Sequence, residues 1–195
     1  FDPEHPDCVK FSRYKVDTYL LDPDPDSERI ANTVTGLLLS GLLKRFESST
    51  GAFRVSIRRL IEQHENFLRA LNDGYVVTTQ FLKESASTDD EDFDELLNNS
   101  LDVDNADLYD RDKLYDEVAQ DLEKLQEIYS SVEKITKSND PKLKALVAEL
   151  EKIAEDAAEQ AASRIDEINK RKVIIFSFFA DTANWVQNYL ADEIF

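Results

Sequence analysis

Residues 52–71 read A-F-R-V-S-I-R-R-L-I-E-Q-H-E-N-F-L-R-A-L. Their apolar side chains recur at steps of three and four, which is the spacing of one face of an α-helix. The hydroxyl-rich residues 47–51 can cap the start of this helix, and the Asn-Asp-Gly sequence that ends at Gly74 can stop it. The same period predicts an earlier helix that runs from Ser27 to about Phe46.

Two further amphipathic patterns lie in residues 111–171, on either side of Asn139-Asp140-Pro141. Pro141 suits the first turn of a helix, and Asp140 suits its N-cap. Because a short connection joins antiparallel neighbours, we predict an antiparallel helical hairpin over residues 111–171.

Two stretches have the composition of β-strands. Residues 16–21 alternate along a short extended segment, and residues 173–179 (V-I-I-F-S-F-F) resemble a strand buried on both faces of a parallel sheet. A helix over residues 183–190 follows, with Asp181 or Thr182 as its cap. The expected fold class is mainly α: a helical bundle with a long antiparallel helical hairpin, plus a few short β-strands at the two ends that belong to an incomplete α/β lobe.

Composition divides the chain into four predicted segments. Residues 1–84 hold a strand and two helices. Residues 85–110 contain ten acids and no base, which predicts a flexible acidic linker with a short helix at about residues 93–97. Residues 111–171 are the hairpin, and residues 172–195 are the first strand-helix unit of a second lobe.

The whole-chain composition excludes several classes of protein. A net charge of -18 argues against nonspecific binding of nucleic acid or anionic lipid by the surface as a whole. A single cysteine, Cys8, excludes a disulfide framework and a cysteine-based zinc site. No apolar run is long enough to span a bilayer, so we expect no membrane partner and a soluble, cytoplasmic protein. The absence of methionine predicts a fragment of a longer protein.

The sequence predicts no metal site and no catalytic residue in this chain. His64 begins a pattern like H-E-x-x-H, but Leu68 stands where the second histidine must lie, so His64 is expected to be a packed core residue. A calcium loop that began at Asp102 would need glycine at Asp107 and glutamate at Lys113. None of the four glycines begins a loop that cradles phosphate.

Residues 44–69 form the one sizeable net-positive stretch, with six bases and three acids. Arg54 and Arg58 are one helical turn apart, so their guanidinium groups could contact phosphate oxygens together. The alternative is a solvated helix face on which these bases pair with Glu62 and Glu65.

Two stretches resemble a known family. Residues 42–49 (L-L-K-R-F-E-S-S), followed by A-F-R at 52–54, resemble the segment after the first motor lobe of bacterial Swi/Snf-type superfamily 2 helicases. Residues 172–190 (K-V-I-I-F-S-F-F-A-D-T-A-N-W-V-Q-N-Y-L) resemble the motif IV strand and helix that open their second RecA-like lobe. The strand expected over residues 16–21 also fits the order of elements in that family.

The resemblance implies an ATP-dependent DNA helicase or translocase, of which this chain would be the inter-lobe region. The chain lacks a Walker A loop, a D-E-x-H box and an S-A-T motif, so ATP and magnesium are expected to bind in the full-length parent and not in this fragment. The hairpin would be an insertion between the lobes. The resemblance also implies DNA as the partner, and the expected contacts to backbone phosphates are Lys44, Arg45, Arg54 and Arg58.

The rival hypothesis is a helical scaffold or adaptor with no nucleic-acid role. It would bind a protein partner, or a second copy of itself, through the hairpin. It leaves the apolar stretch at residues 173–179 without an explanation.

Overall fold

Helices dominate the computed structural model, which describes residues 8–78 and 102–194. The mainly helical fold class is therefore confirmed. None of the helices in this part of the chain is long and apolar enough to cross a membrane. The helices are α1 (Ser27–Ser48), α2 (Thr50–Asn72), α3 (Arg111–Glu133), α4 (Pro141–Gln160), α5 (Arg164–Lys170) and α6 (Ala180–Ile194), and the strands are β1 (Tyr75–Thr78) and β2 (Asp102–Asn105).

The α1–α2 hairpin begins and ends close to the predicted positions. Ser49 has an extended backbone that breaks the helix, and its side chain accepts a hydrogen bond from the Ala52 amide at 3.0 Å. This cap satisfies one of the donors at the start of α2. Helix α2 stops two residues before Gly74, whose φ of 90° lies in the left-handed region that glycine tolerates best.

Helix α3 packs antiparallel against α2. Arg111 Nη2 donates to the Asn72 carbonyl at 3.1 Å, which places the start of α3 beside the end of α2. Farther along, Leu125 of α3 and Ile57 of α2 lie in one core cluster, whereas Leu114 and Leu71 lie in another. Segments before and after the acidic stretch thus share both core clusters, and the four proposed segment boundaries stay predictions.

The predicted pairing of the hairpin over residues 111–171 is wrong. The apolar seam of α3 is already covered by α2, so α3 does not take α4 as its main neighbour. Helix α4 buries Leu143 and Ala157, and its other residues are half-buried or exposed. The cap predicted at Asp140 is confirmed, since its side chain accepts from the Lys142 amide at 2.9 Å.

The second helix of the predicted hairpin is also interrupted. Helix α4 ends at Gln160, and α5 begins four residues later. Ser163 has an extended backbone and accepts from the Asp166 amide at 3.3 Å, while the Asp166 carboxylate accepts from the Ala162 amide. This reciprocal arrangement starts a new helix where the apolar period alone predicted a continuous one.

The strand predicted at residues 16–21 is wrong. Val16–Tyr19 forms a 3-10 helix, and Leu20 makes one isolated antiparallel bridge to Tyr109. The Thr18 hydroxyl donates to the Lys15 carbonyl at 2.7 Å, which favours a turn. Val16 and Tyr19 are three residues apart, so a 3-10 turn buries both of them, whereas a strand would put them on opposite faces.

The strand predicted at residues 173–179 is wrong as well. This segment is described, it has no regular secondary structure, and Ile174, Phe176 and Phe178 are 78%, 88% and 76% exposed. A strand needs a neighbour that supplies backbone partners, and the described chain places none beside it.

The observed sheet lies in the middle of the chain. β1 and β2 pair antiparallel, with Tyr75 opposite Asn105 and Thr78 opposite Asp102. β2 and the 3-10 helix Ala106–Leu108 fall inside the predicted acidic linker, so its last part is ordered by this pairing. Residues 85–101 of that linker, which include the helix predicted at 93–97, lie outside the described residues.

Candidate nucleic-acid interface

The two stretches that carry the family resemblance meet in space. We call residues 45–54, which contain the turn between α1 and α2, the elbow. The Ser48 and Ser49 hydroxyl oxygens lie 2.7 and 2.8 Å from Thr182 Oγ1, near the start of α6. These hydrogen bonds join segments that are more than 130 residues apart.

Trp185 of α6 sits directly on the elbow. A Cβ built at Gly51 would lie 2.7 Å from the indole ring, so the ring fits there because residue 51 has no side chain. The Arg54 guanidinium lies over the ring, 4.9 Å from its centre, in a cation–π contact. The indole Nε1 donates to Asp140 Oδ2 at 3.1 Å, which ties the start of α4 to the same place. We call the contact of Trp185 with these residues the Trp185 seat.

Arg45 is buried beneath α6. Its side chain is 4% exposed, and Nη1 lies 3.6 Å from Asp181 Oδ2. The guanidinium carbon is 4.7 Å from the centre of the Phe179 ring. The phosphate contact predicted for Arg45 stays a prediction, and in this structure a carboxylate and an aromatic ring occupy the polar and planar faces of its guanidinium.

Lys44 and Arg58, in contrast, are exposed. Arg58 Nε lies 3.9 Å from Glu62 Oε1, and both side chains are more than half exposed. This is the ion pair expected of an ordinary solvated helix face, and it contributes little because solvent screens it. Of the four predicted phosphate ligands, Lys44 and Arg58 therefore lie at the surface, Arg54 is half-buried against Trp185, and Arg45 is buried beneath α6.

The α6 contacts could be found from the sequence only in part. Residues 42–49 and 172–190 each attract attention through their resemblance, but neither stretch indicates that it touches the other. Gly51 is a usable signal, because a glycine in the first turn of a long helix has lower helix propensity than alanine and needs a packing reason.

A second polar cluster fixes residues 10–12 against α3. This cluster was not predicted from the sequence. Asp121 of α3 is 1% exposed, and its two carboxylate oxygens accept from the Lys10 and Ser12 amides, both at 2.6 Å. Burial raises the pKa of the Asp121 carboxyl, while the two amides and Lys124 oppose that rise. The available signal was an acid placed on the apolar seam of a helix, one position before Leu122.

His64 is a core residue, as predicted. It is fully buried, Nδ1 donates to the Leu60 carbonyl at 2.7 Å, and its ring packs edge-on against Tyr14. Burial lowers its pKa to about 4, with a smaller effect of the Arg13 charge in the same direction and an opposing effect of the Leu60 carbonyl. Among the described residues, no group of three or more His, Cys, Asp or Glu could hold a metal ion.

Two cavities flank the elbow. A groove of about 780 Å³ lies between Ile175–Phe178 and one face of α6, and an apolar pocket of about 440 Å³ lies among α1, α2 and α3. The groove is walled by Ile175, Phe176, Val186 and Leu190. Both walls are mainly apolar, which fits packing or docking better than acid–base chemistry.

No protein-family model, no curated protein and no solved structure matches this chain. Functional conclusions for this chain depend on its residues and their contacts.

Proposed function

We propose that this chain is the inter-lobe region of an ATP-dependent DNA helicase or translocase, in which it couples ATP-driven closure of two motor lobes to DNA. The observation that carries this proposal is the contact between the elbow and residues 179–185. These two stretches resemble, separately, the end of one motor lobe and the opening of the next. ATP and magnesium would bind to other parts of the parent protein.

The elbow contact gives the proposal a mechanical basis. In such an enzyme α1 and α2 would follow the first lobe, and α6 would belong to the second. A change in lobe separation would act on the hydrogen bonds from Ser48 and Ser49 to Thr182 and on the Trp185 seat. In such an enzyme, lobe closure around ATP would be converted into a step along the DNA.

DNA contact would come from a local basic surface. Lys44 and Arg58 are exposed on the α1–α2 hairpin, and a lysine or arginine there can neutralise backbone phosphates without reading sequence. The net charge of -18 makes the remaining surface repulsive to DNA, which limits binding to this face.

The test is duplex DNA binding by the full chain across a salt series, with single-stranded DNA and RNA alongside. We expect weak binding that falls steeply with salt, and Lys44→Glu with Arg58→Glu should lower the salt slope by about two. The matched control is Arg29→Glu with Arg171→Glu, which makes the same charge change at exposed arginines outside this basic surface. Equal losses in both double variants would contradict the proposal.

A protein-binding scaffold is the second candidate. It is favoured by large apolar side chains at the surface of α5 and of the segment after it: Ile165 is 74% exposed, and Ile174 is 78% exposed. Exposed apolar surface of this kind marks interaction sites. This candidate predicts association with protein and no dependence of any binding on Lys44 or Arg58.

A further inference from the structure

Arg45 is buried beneath α6, and the half-buried Arg54 lies against Trp185 of α6, where a surface basic cluster was expected. Arg45 meets Asp181 at 3.6 Å and the Phe179 ring at 4.7 Å, and Arg54 lies against the Trp185 ring at 4.9 Å. All three partners belong to residues 179–185. One short segment of the chain therefore covers the Arg45 guanidinium and stacks against that of Arg54.

Asp181, the ion-pair partner of Arg45, is chemically similar to the phosphate that we propose to bind there. A carboxylate and a phosphate both present anionic oxygens to the guanidinium fork. Asp181 is itself partly solvent-exposed, with 29% of its side-chain area accessible, so the ion pair lies at an edge that solvent and solutes reach. An external phosphate could exchange for this carboxylate once α6 moved away.

Helix α6 lies outside the two core clusters, although its Tyr189 is buried. The described contacts that hold the start of α6 on the elbow are polar or aromatic: two hydroxyl contacts at Thr182, the ion pair, two cation–π contacts and the indole hydrogen bond. Undocking α6 would expose Tyr189 and the surface around Gly51, but it would remove no residue from either core cluster.

We propose that α6 masks a cryptic phosphate-binding site: the Trp185 seat holds Asp181 over the buried Arg45 and Trp185 against the half-buried Arg54, and undocking of α6 exposes Arg45 and releases Arg54 to bind a phosphate polyanion. This inference rests on the proposed function in taking DNA as the natural polyanion. It adds that binding is regulated, because the docked form contributes just the exposed bases and the undocked form adds two guanidinium groups. Lobe movement in the parent protein would then control the affinity for DNA.

Gly51→Ala is the release variant. The added methyl would lie 2.7 to 2.8 Å from three carbons of the Trp185 ring, so the ring must leave its seat, while alanine favours α2. Gly36→Ala is the matched control, because it is the same substitution in a helix with no atom within 4 Å of the new Cβ. Trp185 is the single tryptophan, so a red-shifted emission and stronger acrylamide quenching in the release variant report undocking directly.

Arginine exposure is measured with phenylglyoxal and peptide mass spectrometry. In the wild type and in Gly36→Ala we expect Arg45 to be protected, and in Gly51→Ala we expect Arg45 to become reactive and the half-buried Arg54 to react faster. Trp185→Ala gives a second route to the released form should Gly51→Ala keep its tryptophan emission unchanged. Protection of Arg45 in both variants would overturn the inference.

Phosphate binding is measured with inorganic polyphosphate and with duplex DNA. Release should raise affinity for both on the order of tenfold at low salt and steepen the salt slope by about two. Adding Arg45→Gln and Arg54→Gln to the release variant should abolish this gain. Reactive arginines with unchanged polyphosphate affinity would overturn the inference, whereas a gain for polyphosphate with no DNA binding in any variant would overturn the proposed function alone.

Discussion

The buried residue His64 makes the stability of this fold depend on pH. The imidazole is fully buried, its Nδ1 is hydrogen-bonded to Leu60, and its pKa is lowered from 6.5 to about 4. Between these two values the unfolded chain binds more protons than the folded chain. The stabilisation that comes from keeping His64 neutral is therefore complete above about pH 6.5 and is lost as the pH falls towards about 4.

We expect this loss to reach about 3 kcal/mol in the free energy of unfolding, since each pKa unit corresponds to about 1.4 kcal/mol. Urea unfolding followed by circular dichroism between about pH 7.5 and pH 4.5 measures it. His64→Gln is the comparison, because glutamine is polar and does not titrate. Asp121, whose pKa is raised, acts in the opposite direction but is present in both proteins. An identical pH dependence in the two proteins would contradict the assignment.

The role of a single residue could be predicted where the neighbouring sequence was enough to indicate it. His64 was predicted as a core residue because it lies on the apolar stripe of α2, and its burial is confirmed. Asp121 was missed because its role comes from the Lys10 and Ser12 amides, which are more than 100 residues away. A polar residue on an apolar seam indicates a buried partner, but the sequence does not identify that partner.

Two glycines, one inside a helix and one just after a helix, are expected to respond in opposite ways to alanine. Gly36 lies within α1 with open space around its Cβ position, so Gly36→Ala should stabilise the fold by up to about 1 kcal/mol. Gly74 has a φ of 90° just after α2, so Gly74→Ala should destabilise it by about 1 kcal/mol or more. Chemical denaturation of both variants tests the pair, and a stabilising Gly74→Ala would show that α2 ends differently.

Helix boundaries were predicted well where capping residues occur, and pairing was predicted poorly. Ser49, Asp140 and Gly74 mark boundaries through local hydrogen bonds or backbone conformation, which a short stretch of sequence contains. Strand pairing between β1 and β2, and the choice of α2 over α4 as the neighbour of α3, depend on which apolar faces meet. The amphipathic pattern shows that a face is buried but not what buries it.

The same limit explains the error at residues 173–179. The composition there predicts a strand buried on both faces, but the described chain places no strand beside this segment and no cover over Ile174, Phe176 and Phe178. The side chains that a sheet would bury are exposed. The apolar composition of residues 173–179 thus favours a strand only where a neighbouring strand is present. In residues 16–19 the apolar side chains are buried by a 3-10 turn, so no strand is needed there.

The basic stretch and the family resemblance led to Lys44, Arg45, Arg54 and Arg58, whose contacts with phosphate stay predictions. The burial of Arg45 and the contact of Arg54 with Trp185 are tertiary properties of the whole molecule. They follow from the contact between the elbow and α6, which no local pattern in either stretch encodes.

The exposed apolar segment and the net charge have opposite effects on association between copies of the whole molecule. Val173–Phe178 presents β-branched and aromatic side chains to solvent, which favours association between copies of the chain. A net charge of -18 on each copy repels the other. Salt screens this repulsion but not the apolar attraction, so we expect self-association to increase with ionic strength, whereas DNA binding should decrease with it.

Sedimentation velocity at low and high salt measures this association. Ile174→Lys with Phe176→Lys should suppress it, because the two side chains are 78% and 88% exposed and contribute apolar area at the contact. Leu21→Lys is the control, since Leu21 is 71% exposed and lies outside the segment. Association that persists unchanged in the double variant would place the contact elsewhere. Association that weakens with salt would mean that charge pairing drives it, and the scaffold hypothesis would then lose its main support.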